Sequence, residues 1–513
     1  MSRNLFTRIR AALPSADAPF IETDSGRRLS YADATALSGR LANALAARGV
    51  APGDRVAVQV EKSPEAILLY LACLRLGAVF LPLNTAYTLA ELEYFIGDAE
   101  PRLVVCMPER AAEVAALARR LGAAAVETLG TDGREGSLTA LAEGCDPAFE
   151  DHACDDDALA AILYTSGTTG RSKGAVLTHG NLASNALALR EAWRYAGSDV
   201  LLHALPIFHT HGLFVATNVT LVSGASMLFL PRFDPDAILR LLPRATVMMG
   251  VPTFYVRLLQ DPRLTREAAA HMRLFISGSA PLLADTHREW RERTGTAILE
   301  RYGMTETNMN TSNPYDGERL PGSVGFPLPG VEVRVADPES GAPLPHGGIG
   351  MIEVRGPNVF KGYWRMPEKT AAEFRPDGFF ITGDLGRIDG RGYLHIVGRS
   401  KDLVITGGYN VYPKEVESVI DALPGVLESA VIGLPHPDFG EGVTAVVTRR
   451  PGARIGEGDV LAALEGQLAR YKLPKRVVFV DELPRNTMGK VQKAMLRSLY
   501  GSLYTAAPPA GRP

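Results

Sequence analysis

The chain has 513 residues, a length that holds roughly two to four ordinary domains. Its hydrophobic fraction of 46% and charged fraction of 22% are those of a globular protein, and a net charge of −3 gives no footing to a nucleic-acid or anionic-membrane partner. No apolar run reaches the length of a membrane span, and Cys73, Cys106, Cys145 and Cys154 form no C-x-x-C pair, which reads as buried free thiols in a reducing, cytoplasmic setting.

Residues 1–10 carry Arg3, Arg8 and Arg10 and no acid, with Leu5, Phe6 and Ile9 spaced for one helical face. Fold-like sequence begins within about twenty residues, leaving little for a cleavable transit peptide. Residues 55–60 read as a strand, with a helix over 64–76 behind it. Further short apolar strands are expected at 103–105, 159–164, 201–204, 227–230, 247–251 and 274–276, with helical patterns at 181–193 and 236–242 between them. This alternation predicts an α/β fold with largely parallel sheets, whose ligand sites lie beyond the C-terminal strand ends. From Gly330 the strands at 331–335, 350–355, 379–381 and 393–397 are short and separated by Gly, Asp and Pro turns, as in a small antiparallel or barrel-like unit. Past Gly398 come a helix (414–422), strands (429–433, 443–448), a helix (459–468) and a strand (476–480), which predict a smaller α+β domain. The tail 505–513, rich in Ala, Pro and Gly, reads as disordered.

Residues 164–174 carry three glycines, five Ser or Thr hydroxyls and Lys173 after the apolar run 158–163. Glycines let backbone N–H groups approach a phosphate closely, and hydroxyls and an ammonium add donors. Thr165, Ser166, Gly167, Thr168, Thr169, Gly170 and Lys173 thus suit the phosphates of a nucleotide, a flexible polar turn being the plainer alternative. Gly174 follows the lysine, so this is not a Walker A loop.

Four further clusters carry chemistry. In the stretch 300–307, Tyr302 can stack on a purine and Glu306 can bind a magnesium ion, although a capped turn explains the composition equally well. Asp384, between Gly383 and Gly386, can accept ribose hydroxyls, but Gly-Asp turns are common. The stretch 398–410 places Arg399, Lys401, Asp402, Gly407 and Gly408 where the domain texture switches, as in a hinge or an ordinary charged linker. Lys490 ends a Gly turn at 484–490 and can be delivered into another domain's site, or can be an ordinary surface lysine.

In this order the five clusters resemble the acyl-adenylate-forming superfamily of acyl-CoA synthetases, luciferases and peptide-synthetase adenylation domains. Ser172 stands where many members have proline, which alters loop stiffness and not the donor set. The resemblance implies a large N-terminal domain (1–398) of two α/β subdomains plus a small β-barrel, a hinge (399–402) and a mobile C-terminal lid (403–504). It also implies two half-reactions: a carboxylate attacks the α-phosphate of ATP, then the thiol of coenzyme A displaces AMP. By the same resemblance Thr165 and Glu306 would share Mg2+. Gly278, Ser279, Ala280, Glu300, Arg301, Tyr302, Gly303 and Thr305 would frame the nucleotide, and Asp384 and Arg399 would hold the ribose. Lys490 would be catalytic in adenylation, Asp402 the hinge about which it leaves, and Gly407 and Gly408 would then reach the CoA channel. Acetylation of Lys490 by a lysine acetyltransferase, reversed by a deacetylase, would remove the charge the first half-reaction needs.

The stretches 208–214, 277–283, 286–290 and 302–311 resemble malonyl-CoA synthetases. That resemblance implies that Arg288 binds the distal carboxylate of malonate, with His209 and Ser279 beside it and Thr210 and Met309 limiting room at the α-carbon, so that methylmalonate is partly used. Arg288 sits in a charged helix of a kind that usually faces water. Ligation of another short acid, loading of a carrier protein, and non-catalytic nucleotide binding stand as alternatives.

Overall fold

The computed structural model describes residues 2–165, 172–465, 467–486 and 489–504. The first sheet has seven strands, in the order Gly362–Tyr363, Lys173–Thr178, Leu159–Thr165, Val79–Pro82, Arg55–Gln59, Leu103–Cys106, Ala125–Thr128. Its central strands pair in parallel, as short apolar runs buried on both faces do. The helix Pro64–Leu76 is buried along its whole length. Ser63 starts it by accepting from the Ala66 N–H, and Gly77 ends it in the left-handed region at φ 76°.

A second sheet of nine strands runs Phe326–Pro327, Asn308–Ser312, Ile298–Met304, Leu274–Ser277, Val247–Gly250, Val200–His203, Ser226–Phe229, Pro19–Thr23, Arg28–Ser30. The apolar residues of the N-terminal segment, Leu5, Phe6 and Ile9, are buried together in the helix Leu5–Ala12, so this segment belongs to the core.

The antiparallel unit after Gly330 is a four-stranded sheet (Glu332–Ala336, Gly350–Arg355, Phe380–Ile388, Leu394–Arg399), and among the described residues its two outer strands are not bonded to each other. Thr382-Gly383-Asp384 is not a turn, as the glycine suggests, but lies inside the strand Phe380–Ile388, where Asp384 faces Arg399 across the ladder. The C-terminal part builds a separate core on five strands, with Gly440–Arg449 between Val426–His436 and Arg476–Val480, and the helices Pro413–Asp421 and Glu457–Leu464 packed with it. Cys73 and Cys106 are buried, Cys145 and Cys154 half-buried, and all four are free. No described helix is long and apolar enough to cross a membrane.

Candidate active site

The cleft is built where strand ends of the second sheet meet the four-stranded sheet and the C-terminal part. The strand Ile298–Met304 supplies most of it. Successive side chains on a strand point to opposite faces, and residues 300–302 divide accordingly.

On one face, the Tyr302 hydroxyl donates to Asp384 Oδ2 at 2.6 Å, and Arg399 Nε lies 2.8 Å from Asp384 Oδ1. The carboxylate that the sequence offers to ribose hydroxyls is thus already engaged by a phenol and a guanidinium. Glu300 is buried and accepts from the Gly322 N–H at 3.1 Å. Burial pushes its pKa up to about 8. Lys490 stands over this group. Its side chain is open to solvent in the cleft, yet the surrounding protein, and then Arg399, lower its pKa to about 8. The turn before it, at Gly489 (φ 73°), comes so close to the helix Pro252–Leu259 that a Cβ would lie 3.2 Å from Thr253 Oγ1. The C-terminal part is therefore seated against this helix, with Lys490 beside Asp384 and Arg399. Asp402, in the turn Ser400–Asp402, is tied to the lid helix Lys493–Tyr500 by Arg497 at 2.6 Å. Gly407 and Gly408 lie exposed at the tip of the hairpin Val404–Thr406/Tyr409–Val411, both with positive φ.

The phosphate end is partly described. Ser166, Gly167, Thr168, Thr169 and Gly170 lie outside the described residues. Thr165 ends the strand Leu159–Thr165, where its Oγ1 donates to the Lys173 carbonyl at 3.4 Å. Lys173 Nζ lies 3.1 Å from Glu373 Oε1 and 4.0 Å from the Tyr363 ring centroid. The Tyr363 hydroxyl lies 2.6 Å from Glu373 Oε2 and 3.0 Å from Glu306 Oε1, so one phenol links the loop lysine's partner to Glu306. Burial raises the pKa of Glu306. No group of three or more His, Cys, Asp or Glu that could hold a metal occurs among the described residues. One buried carboxylate nonetheless fits Mg2+, which is commonly held by one or two carboxylates together with substrate phosphates.

The other face gathers a second group of buried residues. Arg301 is only 4% exposed, no carboxylate among the described residues pairs with it, and its Nε and one terminal nitrogen have no hydrogen-bond partner. Burial lowers its pKa to about 9. A Cβ at Gly278 would fall 2.3 Å from its Cζ, so only glycine there leaves room for the guanidinium. His209 and His211 feel its charge. Burial, then Arg301, holds His209 near pKa about 4 and His211 well below the usual histidine range. His211 Nδ1 lies 3.2 Å from Ser279 Oγ, and Ser279 is held at φ 72°, a left-handed conformation rare for serine. Thr210 Oγ1 is buried without a partner. Met309 is buried against Gly303, where a Cβ would meet its methyl at 2.5 Å. Ala280 and Thr305 border the two pockets in sequence and are half-buried.

Two sequence expectations change here. Arg288 does not reach the pocket: its side chain is 61% exposed and pairs with Asp285 one turn away on the helix Ala284–Thr294, whose buried face carries Thr286, His287 and Trp290. Arg301 does not share a face with Glu300 and Tyr302. It points to the opposite side, because it alternates with Glu300 and Tyr302 on a strand.

The AMP-binding enzyme family matches residues 9–364, and the AMP-binding enzyme C-terminal domain matches residues 415–490. Among solved structures, ATP-bound MatB from Rhodopseudomonas palustris is 67% identical, with 98% of this chain and 100% of that chain covered and a TM-score of 0.96. The apo form of the same protein gives 0.87. A feruloyl-CoA synthase from Amycolatopsis sp is 40% identical over 93% of this chain and 95% of its own length. A malonate–CoA ligase from Arabidopsis thaliana is 37% identical over 88% and 78%.

Proposed function

The chain is a member of the AMP-binding enzyme family, and from that premise we propose that it ligates malonate to coenzyme A, with malonyl-AMP as intermediate and AMP and pyrophosphate as products. The observation that carries the choice of acid is the buried, unpaired Arg301 between His209, His211 and Ser279. A guanidinium forks onto a carboxylate, and malonate brings a second carboxylate besides the one that reacts. An acid without that group leaves the buried charge uncompensated, at a cost of about 3–5 kcal/mol. This corresponds to at least roughly a hundredfold in selectivity. Ferulate lacks the second carboxylate, so the pocket argues against the activity of the feruloyl-CoA synthase relative although overall identity is similar. In this reading Arg301 takes the role that the sequence gives to Arg288. Thr210 and Met309 bound the α-carbon, and methylmalonate is partly used because one methyl group costs only about 1–3 kcal/mol.

The first half-reaction joins two anions. Residues Thr165 to Gly170 and Lys173 hold the β- and γ-phosphates. Gly278, Ser279, Ala280, Glu300, Tyr302, Gly303 and Thr305 frame the nucleotide, and Asp384 with Arg399 orients the ribose. Lys490 offsets the repulsion between carboxylate and α-phosphate and stabilises the charge that develops in the transition state. Glu306, with Thr165, would hold Mg2+, which when bound neutralises charge on the phosphates. The docked lid, with Gly489 on Thr253, and the better fit to the ATP-bound relative support assigning this arrangement to adenylation. Rotation of the lid (403–504) about Asp402 within the hinge (399–402) then withdraws Lys490 and brings Gly407 and Gly408 to the thiol channel. Cytoplasmic residence and reversible acetylation of Lys490 belong to the same proposal. The test is pyrophosphate release across malonate, methylmalonate, succinate, acetate, octanoate and ferulate, with the thioester identified by mass spectrometry. Malonate is expected to lead, and a higher rate with ferulate or octanoate overturns the reading.

A further inference from the structure

Outside both pockets, Lys62 is buried, and no carboxylate among the described residues lies within salt-bridge distance of it. It follows the strand Arg55–Gln59 of the first sheet, yet its partners belong to the second. Nζ lies 2.8 Å from the carbonyl oxygen of His203, 3.0 Å from His203 Nδ1 and 4.3 Å from the Phe229 ring centroid. Carbonyl, imidazole nitrogen and ring face surround Nζ on three sides, and burial pushes its pKa well below the usual lysine range.

His203 ends the strand Val200–His203, and its Nε2 lies 3.0 Å from the Gly212 carbonyl oxygen. A carbonyl can only accept, so Nε2 carries the imidazole hydrogen. Burial, then Lys62, keeps this ring neutral, so Nδ1 presents a lone pair, and Lys62 supplies the N–H that meets it. The Gly212 carbonyl also accepts from Thr217 Oγ1 at 2.9 Å. Both bonds hold the start of the π-helix His211–Thr217, a rare wide turn of a kind found mostly at functional sites. There the backbone of Gly212 is pressed against Pro206, so that a Cβ would fall 2.1 Å from its carbonyl oxygen. The first residue of this turn is His211, which meets Ser279 and flanks Arg301.

We propose that Lys62 and His203 are positioning residues for the acyl pocket, fixing the wide turn at Gly212 so that His211 and Ser279 present the acid to Arg301. This rests on the reading of that pocket as the acyl site.

The test compares the full-length wild type with Lys62→Met, His203→Gln and His203→Leu, using whichever acid of the panel the wild type ligates best. Failure of malonate in the wild type thereby sinks the functional reading and leaves this test standing. Exchanging the amine for a thioether of similar length keeps the volume but leaves the His203 carbonyl and Nδ1 without their donor, so Tm of Lys62→Met is expected to fall by a few degrees, and the split between the two KM values carries the test. Its KM for the acid is expected to rise about tenfold while KM for ATP stays within about twofold. The Gln amide can still donate to Gly212, so His203→Gln is expected to keep KM for the acid within about threefold of wild type, whereas His203→Leu raises it at least as far as Lys62→Met. An unchanged KM for the acid in both Lys62→Met and His203→Leu overturns the proposal. So does a Tm that falls in step with both KM values in all three variants, which marks general packing and not positioning.

Discussion

On the side of the cleft proposed for the nucleotide, three ion pairs are formed inside the protein: Arg399 on Asp384, Lys173 on Glu373, Arg497 on Asp402. On the acyl side Arg301 has no acid, His209 and His211 are held neutral, and Thr210 Oγ1 is buried without a partner. Paired charges orient a ligand without relying on it for their own stability, as suits a nucleotide whose several phosphates bring their own cation. An unpaired buried cation does the opposite, because it rewards only a ligand that carries the missing charge, and so it turns desolvation into selectivity. Lys490 belongs to neither set: in the proposed cycle it arrives with the C-terminal part and leaves with it.

The largest expected effect tests that separateness. Lys490→Ala is expected to lower malonyl-AMP formation by about 10²–10³, the range for loss of one preorganised charge or donor at a transition state. Thiolysis of supplied malonyl-AMP should stay near the wild-type rate. Stopped-flow measurement of each half-reaction decides, and equal losses in both would place Lys490 outside the adenylation step.

Second in size is Arg301→Met. Malonate kcat/KM should fall at least roughly a hundredfold with KM for ATP little changed, and discrimination against acetate should collapse. A rise in KM for ATP with intact acid selectivity would instead return Arg301 to the nucleotide side.

The two sides should also separate in pH. Lys490 has a lowered pKa of about 8, so its ammonium is present below that pH and lost above it. The rate of the first half-reaction is expected to fall as pH rises through about 8, approaching tenfold per unit beyond. Arg301, whose pKa burial lowers, is a guanidinium and keeps its charge through this range, so KM for malonate should stay flat while the adenylation rate falls. Adenylation rates and KM values measured from pH 6.5 to 9.5 check this, and a KM for malonate that rises in step with the fall in rate would deny the distinction.

A smaller effect is expected from Asp384→Asn. The amide oxygen still accepts from Tyr302, but Arg399 loses its ion pair, and KM for ATP should rise about tenfold with the preference among acids unchanged.

How much of this was legible in the sequence follows from how each side is assembled. The nucleotide side is spelled in contiguous stretches (164–174, 300–307, 382–386, 484–490), and side chains close in sequence share one task there. The helix at 64–76 was equally plain, from its Pro start, Gly stop and apolar run. The acyl side is gathered from distant segments, and its anchor hides between two nucleotide-facing residues. Strand alternation at 300–302 is the available signal, but the polar composition of 300–307 suits a capped turn equally well and masks it. That Asp384 sits on a strand and not in a turn is hidden because its partner Arg399 is fifteen positions on and meets it only across a ladder. Nothing in the stretch around Lys62 reveals that it crosses to the other sheet, since neither spacing nor composition encodes which sheets abut.

The smallest expected effect is the sharpest control on the comparison. Arg288 lies in a stretch that resembles malonyl-CoA synthetases and Arg301 immediately before another, and both are guanidiniums near the segment 277–283. They differ in surroundings: Arg288 is 61% exposed beside Asp285, whereas Arg301 is 4% exposed and unpaired. An exposed i,i+3 ion pair contributes at most about 0.5 kcal/mol. Arg288→Met should therefore leave kcat/KM for malonate within about twofold of wild type and the malonate-to-acetate ratio unchanged. Should Arg288→Met instead reproduce the loss expected of Arg301→Met, the helix Ala284–Thr294 must turn its charged face inward when the acid binds. The unpaired guanidinium of Arg301 would then be one of two anchors, and the contrast between a paired and an unpaired side would dissolve.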